Sequence, residues 1–245
     1  MTGSTYTRYE LLRLFRNRRF FLFSRGFPLL LYFLIAVPNR NVHNLGGSGV
    51  SAPLYLMVGL VAFGTMNGVM SVGGRIATER VLGWNRQLRL TPLPVRAYFR
   101  SKILSAYVTA GITIALLYAS GLALGVRLSP ATWLEMTGLL LLGLVPFAAL
   151  GIVMGHLLSS DTIGPALGGL TALFAFLGGV WFPIGGSGVM HAIASGLPSY
   201  WLVDASRLGV GAHGWPATGW IVMALWTAGA IVLARWAYRR DTKRD

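Results

Sequence analysis

Long stretches without a charged side chain constrain this chain more strongly than any other feature of its sequence. A membrane-spanning helix needs about 20 predominantly apolar residues, and five stretches free of Asp, Glu, Lys and Arg have at least 21. The longest has 42 residues and is interrupted by Pro183 and the glycines beside it, so it predicts one span followed by a segment that does not cross. The stretches are 54–74, 103–126, 136–160, 162–203 and 208–234.

A further apolar segment, residues 20–38, is interrupted only by Arg25, whose long side chain can reach the membrane surface. We therefore predict an all-α polytopic membrane protein, in which residues 1–245 form a single transmembrane domain with six transmembrane helices. The predicted spans are 20–38, 53–74, 101–125, 134–157, 162–182 and 216–236.

The composition excludes several other classes of protein. Charged residues make up 11% of the chain, less than half of the roughly 25% that is usual in soluble domains. The chain is also too apolar for a disordered basic tail. Because it has no cysteine, disulfide scaffolds, cysteine–zinc sites, iron–sulfur clusters and thiol nucleophiles are excluded. Its four histidines show no metal-ligand spacing, so the sequence predicts no metal site.

The positions of the 21 basic residues, which face only seven acids, predict the orientation of the chain in the membrane. Six bases precede or begin the first predicted span, seven lie between 75 and 102, and five follow the last span. The positive-inside rule therefore places both termini and the 75–102 loop in the cytoplasm of a bacterium, in a multi-pass inner-membrane protein. Each such base gains about 1 kcal/mol from anionic lipid head groups, so the lipid bilayer explains the basic excess and no nucleic-acid partner is expected.

An amphipathic pattern at helical period covers residues 7–19, before the first span. It predicts a helix that lies in the membrane interface with its apolar arc in the lipid. A basic tail that only fixes the topology is the alternative. The apolar arc consists of Leu11, Leu12, Leu14 and Phe15, and the polar arc of Glu10, Arg13, Arg16 and Asn17.

The cytoplasmic loop contains a second short helical pattern, over residues 77–91. Val81, Trp84 and Leu88 share one face of this helix, and Thr91-Pro92 ends it, because a proline disfavours helical backbone in the residue before it. A short cytoplasmic helix with an aromatic side chain and mixed charge is a candidate docking element for a partner. A connector that rests on lipid is an equally weighted alternative.

The segment 188–209 between the fifth and sixth spans is too short and too broken to cross the membrane. We expect one or two short helices that dip into the outer side of the membrane or lie on it, with a long loop as the alternative. Trp201 is typical of an aromatic belt at the membrane interface, and Asp204 and Arg207 are spaced to pair on one helical face. Pro183 and Pro198 punctuate this region.

Several short motifs follow one another along the chain in a defined order. They are Glu79-Arg80-x-x-Gly83-Trp84-x-x-Gln87-Leu88-Arg89-x-Thr91-Pro92, Tyr98-x-x-Ser101-Lys102, Pro146-Phe147-x-x-x-Gly151, Gly178-Gly179-x-x-Phe182-Pro183 and Leu197-Pro198-x-Tyr200-Trp201. In this order and spacing, over nearly the whole chain, the sequence resembles the permease subunit of type-2 ATP-binding-cassette (ABC) exporters. That family includes drug, antibiotic and polysaccharide efflux permeases.

The resemblance implies a role for each short segment. Residues 77–91 would be the coupling helix on a separate nucleotide-binding ATPase subunit, 7–19 the interfacial elbow helix, and 188–209 an outer re-entrant hairpin. The coupling residues would be Glu79, Arg80, Gly83, Trp84, Gln87, Leu88, Thr91 and Pro92. The second and fifth spans would line the substrate pathway at a permease dimer interface, with Met66, Asn67, Met70, Phe174, Phe176 and Trp181 as its candidate lining.

The same resemblance implies the composition of the complex and its cargo. Two ATPase copies would act with this chain and a second permease, either identical or paralogous. The short N-terminus and the lack of a large extra domain favour a small amphiphile, such as a drug, an antibiotic or a lipid-like molecule, over a polysaccharide.

The sequence itself carries no phosphate-binding loop for ATP. Its only two lysines are Lys102 and Lys243, and neither follows a glycine as that motif requires. We therefore expect that this chain is not an enzyme and binds no cofactor, and that ATP and Mg²⁺ are bound by the partner ATPase.

Two other functions are weighed against this one. An ion-coupled secondary transporter usually keeps ionisable residues inside its spans, whereas Glu135 and Asp161 lie only at predicted span ends. An intramembrane serine protease, the remote alternative, would use Ser48 or Ser187 of a repeated Gly-Gly-Ser-Gly sequence. Both copies fall in predicted outer loops, where glycines are typical of flexible turns.

Overall fold

The protein was analysed as a computed structural model that describes residues 3–16, 18–43, 50–84, 87, 90–91, 93–181, 184, 188–210 and 214–242. For 18–25, 209–210 and 242 it describes the backbone alone. Throughout these ranges the regular structure is helical, with no β-strand. The all-α prediction is therefore confirmed for the described part of the chain.

The helices follow the predicted order along the chain. In the N-terminal half they are α1 (Gly3–Arg16), α2 (Arg18–Ala36), α3 (Ala52–Met70), α4 (Val72–Val81) and α5 (Val95–Ala123). In the C-terminal half they are α6 (Pro130–Gly143), α7 (Val145–Leu157), α8 (Ser160–Leu177), α9 (Val189–Ser195), α10 (Pro198–Ser206) and α11 (Ala217–Thr242).

Five described helical segments are long and apolar enough to cross a membrane, and they coincide with predicted spans two to six. They are Ala52–Val81, Val95–Ala123, Pro130–Leu157, Ser160–Leu177 and Ala217–Asp241. The first predicted span is helical as α2, and where its side chains are described it forms the apolar helix Gly26–Ala36. A polytopic membrane protein is thus established, and the crossing by α2 stays a prediction.

The second span extends further than its sequence predicts. Helix α4 continues α3 after a break at Ser71, so the span ends at Val81 and not at 74. Residues 77–81, which the sequence assigns to the start of a separate coupling helix, therefore belong to the end of the span. The apolar stretch sets only the part of a helix that lies in lipid, and hydrogen bonding continues the helix into the charged residues beyond it.

The second span forms the centre of the helical bundle. Helix α3 packs against α2, α5 and α7, while α4 packs against α7 and α8. Gly73 and Gly155 allow the close approach of α4 to α7, because a Cβ atom on Gly155 would lie 2.7 Å from the carbonyl oxygen of Gly73. Small residues at such contacts are typical of packed membrane helices.

Two short helices, α9 and α10, occupy the segment between the fifth and sixth spans, and a 3₁₀ turn, Arg207–Val210, follows them. Trp201 is buried and donates its indole N–H to the carbonyl oxygen of Ser195 at 2.8 Å. The backbone oxygen of Trp201 in turn accepts the indole N–H of Trp215 at 2.8 Å. These bonds fix α10, which begins at Pro198, against the start of α11.

The predicted ion pair between Asp204 and Arg207 is not formed among the described residues. Arg207 instead donates to the carbonyl oxygen of Gly179 at 2.8 Å, which ties this turn to the end of the fifth span. Burial raises the pKa of the Asp204 carboxyl above its ordinary value, and the nearby positive charge of Arg207 opposes that rise. Pro183, predicted as part of the outer segment, lies outside the described residues.

Candidate coupling site

Two consecutive residues, Glu79 and Arg80, occupy the last turn of α4 and point to different sides of it. Successive residues of an α-helix are rotated by about 100°, so their side chains meet different neighbours. Glu79 contacts residues of α1 and α5, whereas Arg80 contacts residues of α7 and α11. The end of the second span is thereby held on both flanks.

The first contact is a group of five charged side chains, buried except at its rim, here named the elbow cluster: Glu10, Arg13, Arg75, Glu79 and Lys102. The ammonium of Lys102 lies 2.8 Å from Oε1 of Glu10 and 2.5 Å from Oε1 of Glu79. Arg13 approaches the same Glu79 oxygen at 2.8 Å, and Arg75 lies 3.4 Å from Glu10. Three bases thus share two acids, and the cluster carries one excess positive charge.

Neutral side chains complete the surroundings of the elbow cluster. Tyr98 donates its hydroxyl to Oε2 of Glu79 at 3.3 Å, and its ring lies 5.4 Å from the ammonium of Lys102. Arg75 donates to the hydroxyl of Ser105 at 3.0 Å. Lys102 has no solvent-exposed surface, and a charge so far from water is stable only when it is paired and hydrogen-bonded.

The elbow cluster corrects the expected faces of the N-terminal helix. Glu10 was predicted on the polar arc, but α1 packs on α5, and Glu10 and Leu14 are buried there. Leu12 and Phe15 are exposed, as expected for side chains that contact lipid. Tyr6 is buried beside Glu10 and Leu14 on the same helix. The pKa of its hydroxyl is raised above the ordinary value, mainly by burial and further by the negative charges of Glu79 and Glu10.

The remaining predicted residues of α1 divide between these two environments. Leu11 is half-buried, and Arg16 is exposed. The side chain of Arg13 is 53% exposed although it pairs with Glu79, so it lies at the rim of the elbow cluster.

The second contact, here named the tail cluster, joins Arg80 to the end of the last span. Arg80 donates Nε to Oδ1 of Asp241 at 2.8 Å, and Nδ1 of His156 lies 2.9 Å from Oδ2 of the same carboxylate. A second nitrogen of Arg80 donates to the carbonyl oxygens of Gly155 and Leu158, both at 3.1 Å. The tail cluster therefore binds the end of α11 to the ends of α4 and α7.

Beyond these clusters the chain presents apolar side chains to its surroundings. Val81, Leu82, Trp84 and Leu90 are all exposed, and we call this group the apolar tip. Gly83 has a φ of +67°, a left-handed conformation that favours glycine, and it reverses the chain directly after the end of α4. Trp84 is helical again.

The structure gives the predicted coupling residues two different environments. Glu79 and Arg80 make intramolecular ion pairs that hold the end of α4, and their contact with an ATPase stays a prediction. Gly83 and Thr91 are half-buried, and Gln87, like Trp84, is exposed at the surface. Leu88 and Pro92 lie outside the described residues.

Three of the predicted pathway residues are packed inside the chain instead. Met66 and Met70 are buried in α3, and Phe174 is buried against the ring of Phe147 at 5.5 Å. The hydroxyl of Thr171 lies 3.8 Å from the sulfur of Met70. The interpretation of these three as pathway lining is not supported by their burial, because core packing already accounts for them.

The other three pathway residues keep accessible surface. Phe176 is exposed, while Asn67 and Trp181 are half-buried. The helices that carry them also differ: 78% of the second span is buried within the chain, against 28% of the fifth. Helix α8 therefore leaves more surface than α3 for lipid or for another chain.

Sequence reasoning missed the partners that complete both clusters. Glu10 was placed on the polar arc of its helix, Arg75 and Lys102 were counted only among the bases of the 75–102 loop, and Asp241 was given no role. His156 was considered only as one of four histidines without metal-ligand spacing. The available signal was the scarcity of acids, because only seven occur in the chain and each one near a span end is a candidate partner for a base.

Among the described residues no group of three or more acids or histidines is placed to hold a metal ion. Ser48 and Ser187, the candidate nucleophiles of the protease alternative, lie outside the described residues.

Comparison with known proteins identifies a match over most of the chain. The family described as "ABC-2 family transporter protein" matches residues 35–236. YvfS of Bacillus subtilis (strain 168), which is named as a transport permease, is 31% identical over 196 residues, and the match covers 78% of this chain and 78% of that protein. The family match includes the apolar tip but begins after α1 and ends before Asp241.

Proposed function

The chain belongs to the ABC-2 transporter family, and from this premise we propose that it is the permease subunit of an ATP-driven exporter in a bacterial inner membrane. Family membership makes it a transport component that works with an ATP-binding subunit. In the proposed complex, two copies of that subunit hydrolyse ATP, and a second permease, identical or paralogous, completes the pathway. The cargo is an amphiphilic small molecule that moves outward.

The observation that carries this proposal is the apolar tip at the end of the second span. Val81, Leu82, Trp84 and Leu90 are each exposed and lie within ten residues of sequence, in a loop whose arginines favour a cytoplasmic location. Exposed apolar groups that lie together outside the lipid are typical of protein–protein contacts, and Trp is a frequent anchor of such contacts. The tip therefore fits a groove on the ATP-binding subunit.

The two ionic clusters give the tip a mechanical connection to the spans. Glu79 connects the end of α4 to α1 and α5, and Arg80 connects it to α7 and α11. Through these pairs, a displacement of the end of α4 would be passed to four other helices. This is the step by which ATP binding on the partner would rearrange the spans of this chain.

The fifth span is the favoured site for the second permease and the pathway. Low burial leaves exposed faces on α8, 28% buried, and on α11, 17% buried in its apolar stretch. The choice of α8, whose exposed face includes Phe176, for the dimer contact rests on the family resemblance. Asn67 and Trp181 remain candidates for the lining, whereas the buried methionines of α3 do not. Outward direction and an amphiphilic cargo rest on the family resemblance.

Affinity purification of the tagged full-length chain from its native membrane tests the proposal directly. We expect a protein with a phosphate-binding loop to co-purify, as identified by mass spectrometry. Trp84→Ala should weaken this association at least about tenfold, which corresponds to about 1.4 kcal/mol. Recovery of the chain without any such ATPase from intact membranes would refute the proposal.

Trp220→Ala is the matched control, because Trp220 is 47% exposed and Trp84 39% exposed, but Trp220 lies near the opposite end of the bundle. Its substitution should leave the association unchanged. An equal loss in both variants would show that general destabilisation, and not the tip, controls the association.

A further inference from the structure

A cavity of about 360 Å³ lies between α1, α4 and α8, next to the elbow cluster. This volume is within the range of about 300–1,000 Å³ that is usual for small-molecule sites. It lies between the second and fifth spans, the pair that the family resemblance assigns to the substrate pathway. The lining residues that matter here are Arg13, Leu14, Arg75, Ser160, Ile163 and Gly164.

The charge around the cavity is positive. Arg13 and Arg75 both line it, and the acids that pair with them are shared with Lys102. The Nε atom of Arg75 is buried and has no hydrogen-bond partner. A buried N–H donor without an acceptor is costly, so an anion that reached it would be stabilised.

A second source of positive potential comes from α8, whose first turn borders the cavity at Ser160. The free N–H groups and the dipole of a helix N-terminus favour negative charge. The acid nearest to this end is Asp161, which is exposed and accepts a hydrogen bond from Ser160 at 3.1 Å. Its exposure lets water screen its charge.

We propose that this cavity binds the anionic head group of an amphiphile, a phosphate above all, while its apolar part lies along Leu14 and Ile163. Two arginines supply charge-assisted hydrogen bonds to the head group, and both apolar residues line the same space. This inference deepens the proposed function, because it assigns a class of ligand to the cytoplasmic half of the proposed pathway.

Occupancy of the cavity would also act on the coupling site. Arg13 lines the cavity and pairs with Glu79, so a bound anion competes with Glu79 for the same guanidinium. Glu79 lies two residues before Val81, the first residue of the apolar tip. The presence of a ligand is thereby communicated to the surface on which the ATP-binding subunit is proposed to dock.

The test uses the purified full-length chain in neutral detergent, titrated with short-chain phosphatidic acid, with diacylglycerol of the same chain length, which has no phosphate, and with inorganic phosphate. Binding is followed by native mass spectrometry. We expect phosphatidic acid to bind at least about tenfold more tightly than diacylglycerol, which corresponds to about 1.4 kcal/mol for the loss of one charge-assisted contact. Binding of phosphate with the same sensitivity to substitution would identify a free anion as the ligand.

Two glycines of α8 provide a matched pair of variants. A Cβ atom at Gly164 or at Gly168 meets no other atom within 4 Å, but only Gly164 lines the cavity. Gly164→Leu should fill the space and weaken phosphatidic acid binding about tenfold, whereas Gly168→Leu should not change it. Arg75→Gln should reduce the preference for the anionic lipid in the same way.

Equal binding of the two lipids, or an unchanged affinity in Gly164→Leu, would overturn this inference. Because Arg75 also stabilises the elbow cluster, Gly164→Leu keeps the test valid if Arg75→Gln does not fold. Co-purification of the ATPase with each variant is measured in parallel. Retained ATPase with no lipid preference contradicts the cavity site alone, while lipid preference without an ATPase contradicts the proposed function alone.

Discussion

Substitution of Lys102 by methionine removes the central cation of the elbow cluster without a large change in side-chain volume. The ammonium contacts two carboxylates, at 2.8 Å and 2.5 Å, and has no exposed surface. Removal of one partner from a buried ion pair costs about 3–5 kcal/mol, because the other charge stays buried without compensation. The remaining bases reduce this loss only in part, since Arg75 lies 3.4 Å from Glu10 and Arg13 is half exposed.

We therefore expect Lys102→Met to lower the free energy of unfolding by about 3–5 kcal/mol. Denaturation of the purified protein in mixed micelles, followed by circular dichroism, measures this difference. Arg100→Met is the control, because Arg100 is an exposed base on the same helix, and its loss should change the stability by less than about 0.5 kcal/mol. A loss below about 1 kcal/mol for Lys102→Met would refute the reasoning, because it would mean that water reaches the two carboxylates.

Three further substitutions test other parts of the structure. Asp241→Asn removes the carboxylate that pairs with Arg80. The end of α11 should then detach, and its amide hydrogen exchange should increase. Unchanged exchange would contradict the tail cluster. Gly73→Val should prevent folding, because any Cβ atom at this position meets a backbone oxygen of α7. Gly111→Val is the control, because a Cβ atom there has open space, and this variant should fold. Size-exclusion chromatography of both variants measures the difference. Phe174→Ala should lower the free energy of unfolding by about 3–5 kcal/mol because the ring of Phe174 is buried. Phe176→Ala is the control, because Phe176 is exposed, and its melting temperature should be nearly unchanged. Similar melting temperatures for the two variants would disprove the assigned environments.

The positions of the spans are predictable because they depend on local composition. When a long uncharged stretch lies in lipid, its backbone N–H and C=O groups must form hydrogen bonds with each other. Within a single segment, only a helix satisfies all of these groups. The five long apolar helices therefore fall where their stretches predict. The helix end at Val81 was missed because the pattern of 77–91 was read as one separate helix, although Gly83 with its positive φ is a common helix-stop signal at this point.

The ionic clusters were not predictable from local patterns, because their members are far apart in sequence. Glu10 and Lys102 are separated by 92 residues, and Arg80 and Asp241 by 161. Amphipathic spacing assigns a polar residue to the polar face of its own helix, and it carries no information on which other helix covers that face. For Glu10 this gave the wrong environment, since α5 covers it.

The helical course from Ala52 to Val81, interrupted only at Ser71, also has a geometric consequence. Its 30 residues correspond to a rod of about 45 Å, whereas the hydrocarbon core of a bilayer is about 30 Å thick. About 15 Å of the rod consequently projects as a lever arm, and a lateral push of about 5 Å at its end tilts the whole rod by about 6°. A thicker bilayer would shorten that arm. We therefore expect that lipid chain length changes how strongly the proposed ATP-binding subunit is coupled to the spans.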